Sequence, residues 1–138
     1  MKLIKIVVVL VVLALVSHTA SAQVYRFKAS SYSILEKDAK GNWGKWKPFV
    51  ESTVVITLDG NKDRVVVGSK EVQLFKIISY GEKISTQYDD TITLECEDLG
   101  GGACTIAIVT RKNQGNRKQF YINYADVKIV YNIYDSKS

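Results

Sequence analysis

From Val24 to Tyr134 the chain repeats one local pattern: a run rich in Val, Ile, Thr, Tyr and Phe, then a short cluster of Gly, Asn, Asp or Lys. Runs of that composition, spaced about ten to fifteen residues apart, are strand signals divided by turns. Strands are expected near Val24–Glu36, Glu51–Asp59, Asp63–Gly68, Val72–Tyr80, Thr91–Glu97, Ala103–Arg111, Lys118–Tyr124 and Val127–Tyr134. No segment of this stretch sustains the three-to-four residue apolar repeat of an amphipathic helix, so little or no helix is expected in it. The turns carry suitable chemistry: Asp59-Gly60-Asn61, Gly100-Gly101-Gly102 and Asn113-Gln114-Gly115-Asn116 supply residues that tolerate positive φ. Short connections of this kind join antiparallel neighbours. The expected fold is all-β, a single-domain antiparallel β-sandwich or small barrel of about seven to eight strands.

Alternation assigns the faces, because successive side chains on a strand point to opposite sides. Val54, Ile56 and Leu58 share one face, as do Ile92, Leu94 and Cys96, and Cys104, Ile106 and Ile108. The last two strands add Phe120, Ile122 and Tyr124, then Val127, Ile129, Tyr131 and Ile133. These residues are the expected core. The pattern fails between Val72 and Tyr80, where Leu74 and Ile78 oppose Phe75 and Ile77. Cover on both faces of that strand would account for it.

The first 22 residues read differently. Lys2 and Lys5 precede an unbroken apolar run from Ile6 to Val16, and Ala20-Ser21-Ala22 supplies small residues for cleavage. That is the three-part layout of a secretory signal peptide. The apolar run is shorter than the roughly 20 residues a membrane-crossing helix needs. Residues 1–22 are therefore expected to be removed, leaving 23–138 as one β domain, secreted or periplasmic, with no membrane span in its mature form. Of the 19 Lys and Arg, Lys2 and Lys5 leave with the leader, so 17 cations face 14 Asp and Glu, a mild balance of +3. The charges alternate with β-forming residues instead of gathering on one face, and no specific nucleic-acid binding is expected.

The leader also holds the only histidine, His18, and the only methionine, Met1. The processed chain then has no imidazole for Ser-His-Asp or Cys-His chemistry. A zinc site would have to be built from at most two thiolates and carboxylates, outside the usual ligand sets. Cys96 and Cys104 flank the glycine-rich turn on strands that share an inward face. Export, an even cysteine count and the shared face point to a cross-hairpin disulfide. Its nine-residue loop would contribute about 2.6 kcal/mol in the chain-entropy treatment. Glu95, Glu97 and Asp98 form an acidic cluster with oxygen donors of the kind calcium takes, though without the spacing of an EF-hand loop. Solvated acids are the favoured reading, and neither a metal nor a cofactor is expected.

The most unusual composition lies in Lys40-Gly41-Asn42-Trp43-Gly44-Lys45-Trp46-Lys47-Pro48-Phe49, which includes the only proline. Indoles stack on sugars or bases, and interleaved lysines answer negative charge. Trp43, Lys45, Trp46 and Lys47 are thus candidate ligand-binding residues. The competing and favoured reading is that both tryptophans fold over an open end of the core and seal it. Tyr121 and Tyr134, with Val130, fall on the face opposite the C-terminal core residues and join the candidates as an outward aromatic patch.

Ala20-Ser21-Ala22-Gln23, the Trp43 and Trp46 stretch, Cys96-Glu97-Asp98 leading to Cys104, and Phe120-Tyr121-Ile122-Asn123-Tyr124 together resemble small exported all-β proteins of Bacteroidetes-type bacteria. The resemblance carries no catalytic motif and implies a periplasmic or exterior location. The sequence as a whole points to a secreted, non-catalytic binding or interaction module whose partner is a protein, a glycan or a small apolar ligand. A lipocalin-like carrier of a small apolar ligand is the alternative. A carboxylate-dependent glycan hydrolase is the second alternative.

Overall fold

A computed structural model describes residues 23–136. The leader expected over residues 1–22 lies outside the described residues. Ten strands follow in chain order: β1 (Val24–Glu36), β2 (Val50–Glu51), β3 (Val55–Asp59), β4 (Arg64–Gly68), β5 (Val72–Tyr80), β6 (Ile84–Ser85), β7 (Asp89–Asp98), β8 (Ala103–Arg111), β9 (Arg117–Asn123) and β10 (Val127–Asp135). The helical content of the described residues is one 3-10 turn, Lys112–Gln114. Among them no helix is long and apolar enough to cross a membrane.

Eight of the strands form a closed antiparallel meander in the order β1-β3-β4-β5-β7-β8-β9-β10, and β10 returns to pair with β1. The barrel, not the sandwich, is the fold. β2 pairs with β1 at Ser31 and Tyr32, and β6 pairs with β7 at Thr91 and Asp90. Closure answers the edge problem directly, since a ring has no outermost strand offering unpaired N–H and C=O groups. One end carries the turns after β3 and β8 and the β5–β7 connection. The other, here the hairpin end, carries the turns after β4, β7 and β9.

The inward faces fill the ring. Ile56, Val65, Val67, Phe75, Leu94, Ile106, Phe120 and Ile122 are each exposed by 2 % or less. Tyr131 joins the layers, its ring 6.0 Å from that of Tyr32 and 6.5 Å from that of Phe120. Most of the expected core is there, but Ile92, placed inside by alternation, is one-third exposed. The misfit in β5 has a different cause from cover on both faces. Ordinary alternation points Phe75 and Ile77 inward and leaves Ile78 exposed to solvent and Leu74 half-buried, and the register with β7 shifts only beyond them, between Ile77 and Ser79. A bulge adds one residue to one strand and resets the alternation. β1 does the same between Ala29 and Ser31, which lets both Ala29 and Tyr32 face the interior.

Cys96 and Cys104 face each other directly across the β7–β8 pair. Their expected disulfide is not formed in this structure: both are buried free thiols. Burial first, and then neighbouring negative charge, pushes the Cys96 thiol up to about 12 and that of Cys104 to about 11. Thiols held so far above neutrality carry almost no thiolate, the form that attacks or is oxidised. The Sγ of Cys96 instead donates weakly to the carbonyl of Leu94 at 3.8 Å.

Ile106 sits at zero exposure in the middle of the core. Ile106→Ala is expected to lower unfolding stability by about 2 to 5 kcal/mol, the range for deleting a large aliphatic side chain from a packed site. Urea titration followed by far-UV circular dichroism measures it, and a loss under 1 kcal/mol would contradict a filled interior.

Candidate functional site

After β1 the chain does not return at once into the sheet. Residues 37–49 form a strap that turns back along β1 and lies over the outer wall. It is pinned by backbone bonds from Gly44 N–H to the Glu36 carbonyl (2.9 Å) and from Lys47 N–H to the Ile34 carbonyl (3.0 Å), and the Ser33 hydroxyl donates to the Lys47 carbonyl. Ser33 and Val130 both point outward from the barrel, yet they are 1 % and 3 % exposed. Only an overlying segment produces burial at such positions.

The strap and the wall enclose a cleft of about 320 Å³. Trp46 and Phe49 come from the strap, Arg111, Gln119, Tyr121 and Val130 from β8, β9 and β10, and Arg117 stands at the rim. Trp46 meets Tyr121 edge-on with ring centroids 6.4 Å apart. The floor is a polar chain that crosses five strands. Arg111 pairs with Asp89 on β7 at 3.2 Å and donates to Gln119 Oε1 and the Tyr121 hydroxyl, both at 3.1 Å. Tyr121 also donates to Gln119 Oε1. Gln119 then donates to Asn132 Oδ1 at 3.1 Å, and Asn132 to Ser31 Oγ at 2.9 Å. Burial alone would lower the Arg111 pKa, but the Asp89 carboxylate and Tyr121 outweigh it and hold the guanidinium above its usual value. The cation is permanent and its direction fixed. Arg117 is exposed and makes no ion pair among the described residues.

The tryptophans do not seal an end of the barrel. They lie on its side, 38 % and 42 % exposed for Trp43 and Trp46. Their roles also differ. Trp43 bridges to Lys37, and the ammonium groups of Lys37 and Lys128 lie 5.0 and 4.8 Å from its ring centroid, which clips the strap to β10. Trp46 lines the cleft. Lys47 is engaged with Glu36 at 3.3 Å in an exposed pair, and Lys45 is fully at the surface. Tyr121 belongs to the cleft floor. Tyr134, half-exposed, lines a separate depression with Ser30, Glu51, Ser52 and Thr53, so the two tyrosines do not form one patch. Arg111, Arg117, Gln119 and Phe49 are not among the residues the sequence marks as candidates. Charged and amide side chains alternating with Phe120 and Ile108 were the available signal, but a solvated strand face looks the same.

The acids considered for calcium do not converge. Glu95 alternates outward and accepts from the Thr105 hydroxyl at 3.3 Å, and Glu97 shares its face. Asp98 turns the other way and organises its own hairpin, accepting from Gly100 N–H (3.0 Å), Gly102 N–H (2.7 Å) and the Tyr124 hydroxyl (2.9 Å). Gly101 supplies the positive φ of 83° that the turn requires. No group of three or more metal-ligating side chains occurs among the described residues.

No known protein family matches the chain, nor does any curated protein or solved structure. The functional reading therefore rests on the geometry alone.

The Gly102 N–H, with Tyr124 and Gly100, holds the Asp98 carboxyl below the usual aspartate value. Because it titrates lower folded than unfolded, its stabilisation is complete above about pH 4 and is lost as pH falls through the folded value. Asp98→Asn should lower the melting temperature at pH 7 and flatten its decline below pH 4. Equal acid sensitivity in both proteins would remove Asp98 from this role.

Proposed function

We propose that the protein is an exported, non-catalytic binding module that holds a negatively charged ligand with an apolar face, an acidic saccharide, in the cleft beneath the strap. One observation carries the reading: Trp46, Phe49 and Tyr121 bring three aromatic rings together beside two guanidinium groups, Arg111 and Arg117. An aromatic ring packs on the apolar face of a sugar, and a guanidinium forks onto its carboxylate. Arg111 is already oriented by Asp89, Gln119 and Tyr121, so little freedom remains to be lost when a ligand arrives. The filled interior of the barrel supports a ligand on the wall instead of inside the ring.

The test is titration with a galacturonate oligomer in a Trp43→Phe background, so that Trp46 alone reports. Saturable quenching is expected, with binding weakened at least tenfold by Arg117→Gln and by Trp46→Ala, the latter read calorimetrically. A neutral galactose oligomer that binds as tightly, or an acidic one that does not bind, would refute the reading.

Export would also place Cys96 and Cys104 in an oxidising compartment. Directly opposed residues in an antiparallel pair sit about 4.5 to 5.5 Å apart at Cα, within the span a disulfide accepts. An external disulfide could then take two electrons from the pair and leave the sulfurs joined with the register unchanged. Material purified from the exterior is expected to take up alkylating reagent in denaturant only after reduction. Two labels without reduction would show that burial keeps the thiols reduced.

A further inference from the structure

A second pair of clefts lies on the opposite side of the barrel, around the hairpin of β7 and β8. The cross-strand register there runs Arg64, Lys76 and Glu97 in one outward row, with Phe75 opposite Asp98 one step further. β7 ends at Asp98, but β5 continues for three residues beyond that level, through Leu74 and Gln73 to Val72. The shortfall leaves two clefts that share a wall. An outer cleft of about 480 Å³ is lined by Lys62, Arg64, Lys76, Glu97 and Leu74. A mouth cleft of about 260 Å³ is lined by Val72, Phe75, Gly100 and Tyr124. Leu74, Asp98 and Leu99 belong to both.

The chemistry of the two halves differs. The outer half is cationic where it is open: Lys62, Arg64 and Lys76 make no ion pair among the described residues. The Nε of Arg64 is buried and has no hydrogen-bond partner. A buried donor without a partner is costly, and a turn of the guanidinium toward a ligand oxygen in the cleft would relieve that cost. Two of the nearby acids are turned to other tasks, Asp63 accepting from the Tyr80 hydroxyl at 2.7 Å and Asp98 from its own turn and Tyr124. Asp59, opposite Arg64 on the same row, accepts from the N–H groups of Asn61 and Lys62 in its own turn, which leaves Glu97 as the other acid of the row. The other half is apolar and unusually open to water, with Leu99 78 % and Val72 66 % exposed beside Phe75. Apolar side chains left in water around a cleft mark a place for an apolar partner.

We infer that this paired cleft binds a single-chain anionic amphiphile, its head group on Arg64, Lys76 and Lys62 and its hydrocarbon chain laid across Leu74 and Leu99 into the barrel mouth. The inference is independent of the strap cleft and shares no residue with it. An anion without a chain leaves the leucines wet, and a chain without an anion leaves Arg64 unpaired. Both parts are needed to satisfy the lining.

Isothermal titration of the folded protein with dodecanoate below its micelle concentration tests this directly. One saturable site per chain is expected, with dodecanol and inorganic phosphate each binding at least tenfold more weakly. Arg64→Gln and Lys76→Gln should each weaken dodecanoate at least fivefold, and Leu99→Ser should do the same without affecting the fold, since Leu99 packs on little. Trp46→Ala should leave dodecanoate binding unchanged. Absence of a saturable site, phosphate binding as tightly as dodecanoate, or dodecanoate binding indifferent to Lys76→Gln and Leu99→Ser would overturn the proposal.

Discussion

The pairing of β1 with β10 is the constraint on which the rest depends. Residues Phe27 to Glu36 meet Val127 to Asp135, and that ladder turns a meandering sheet into a ring. Without it, both strands would present open edges and the inward faces of β1, β9 and β10 would lose their opposing wall. The same join creates the candidate site. The strap lies over a wall that exists because β1, β10 and β9 are consecutive neighbours, and the polar chain from Asp89 to Ser31 crosses the closure.

Where residues face can be traced to two bulges. The extra residue at Ser30 puts Ser31 and Ser33 on the outer wall, where one ends the polar chain and the other anchors the strap. The extra residue at Ile78 changes the phase of β5 only near its end, bringing Ser79 opposite Glu95 and Tyr80 opposite Leu94. A bulge re-aims every side chain that follows it. The strap cleft is therefore lined by outward residues, with the interior given over to packing.

Much of the fold was legible in the sequence because strand periodicity and turn chemistry are local. The runs around Ile106 and Ile122 alternate cleanly, and glycine-bearing turns mark their ends. The choice of barrel over sandwich was not legible, since it depends on whether Ser33 finds Val130 nearly a hundred residues away. The site was legible in part. The composition of residues 40–49 marked the strap, but not its resting place: an indole that seals a barrel end and one that lies on its wall have the same sequence. Arg111 and Gln119 gain meaning only when β8, β9 and the strap are brought together. The cysteines were placed correctly opposite each other, whereas their oxidation state is a matter of surroundings and not of register.

The ladder that closes the ring joins residues as far as 108 positions apart, as between Phe27 and Asp135. A ribosome delivers β1 first and β10 last, so the earliest strand must wait for almost the whole domain before it gains its second neighbour. Pairings between such distant stretches form late and slowly. Throughout that delay Ser30, Ser31 and Ser33 punctuate β1 with hydroxyls, making the waiting strand a poorer template for a stray chain than a wholly aliphatic one would be.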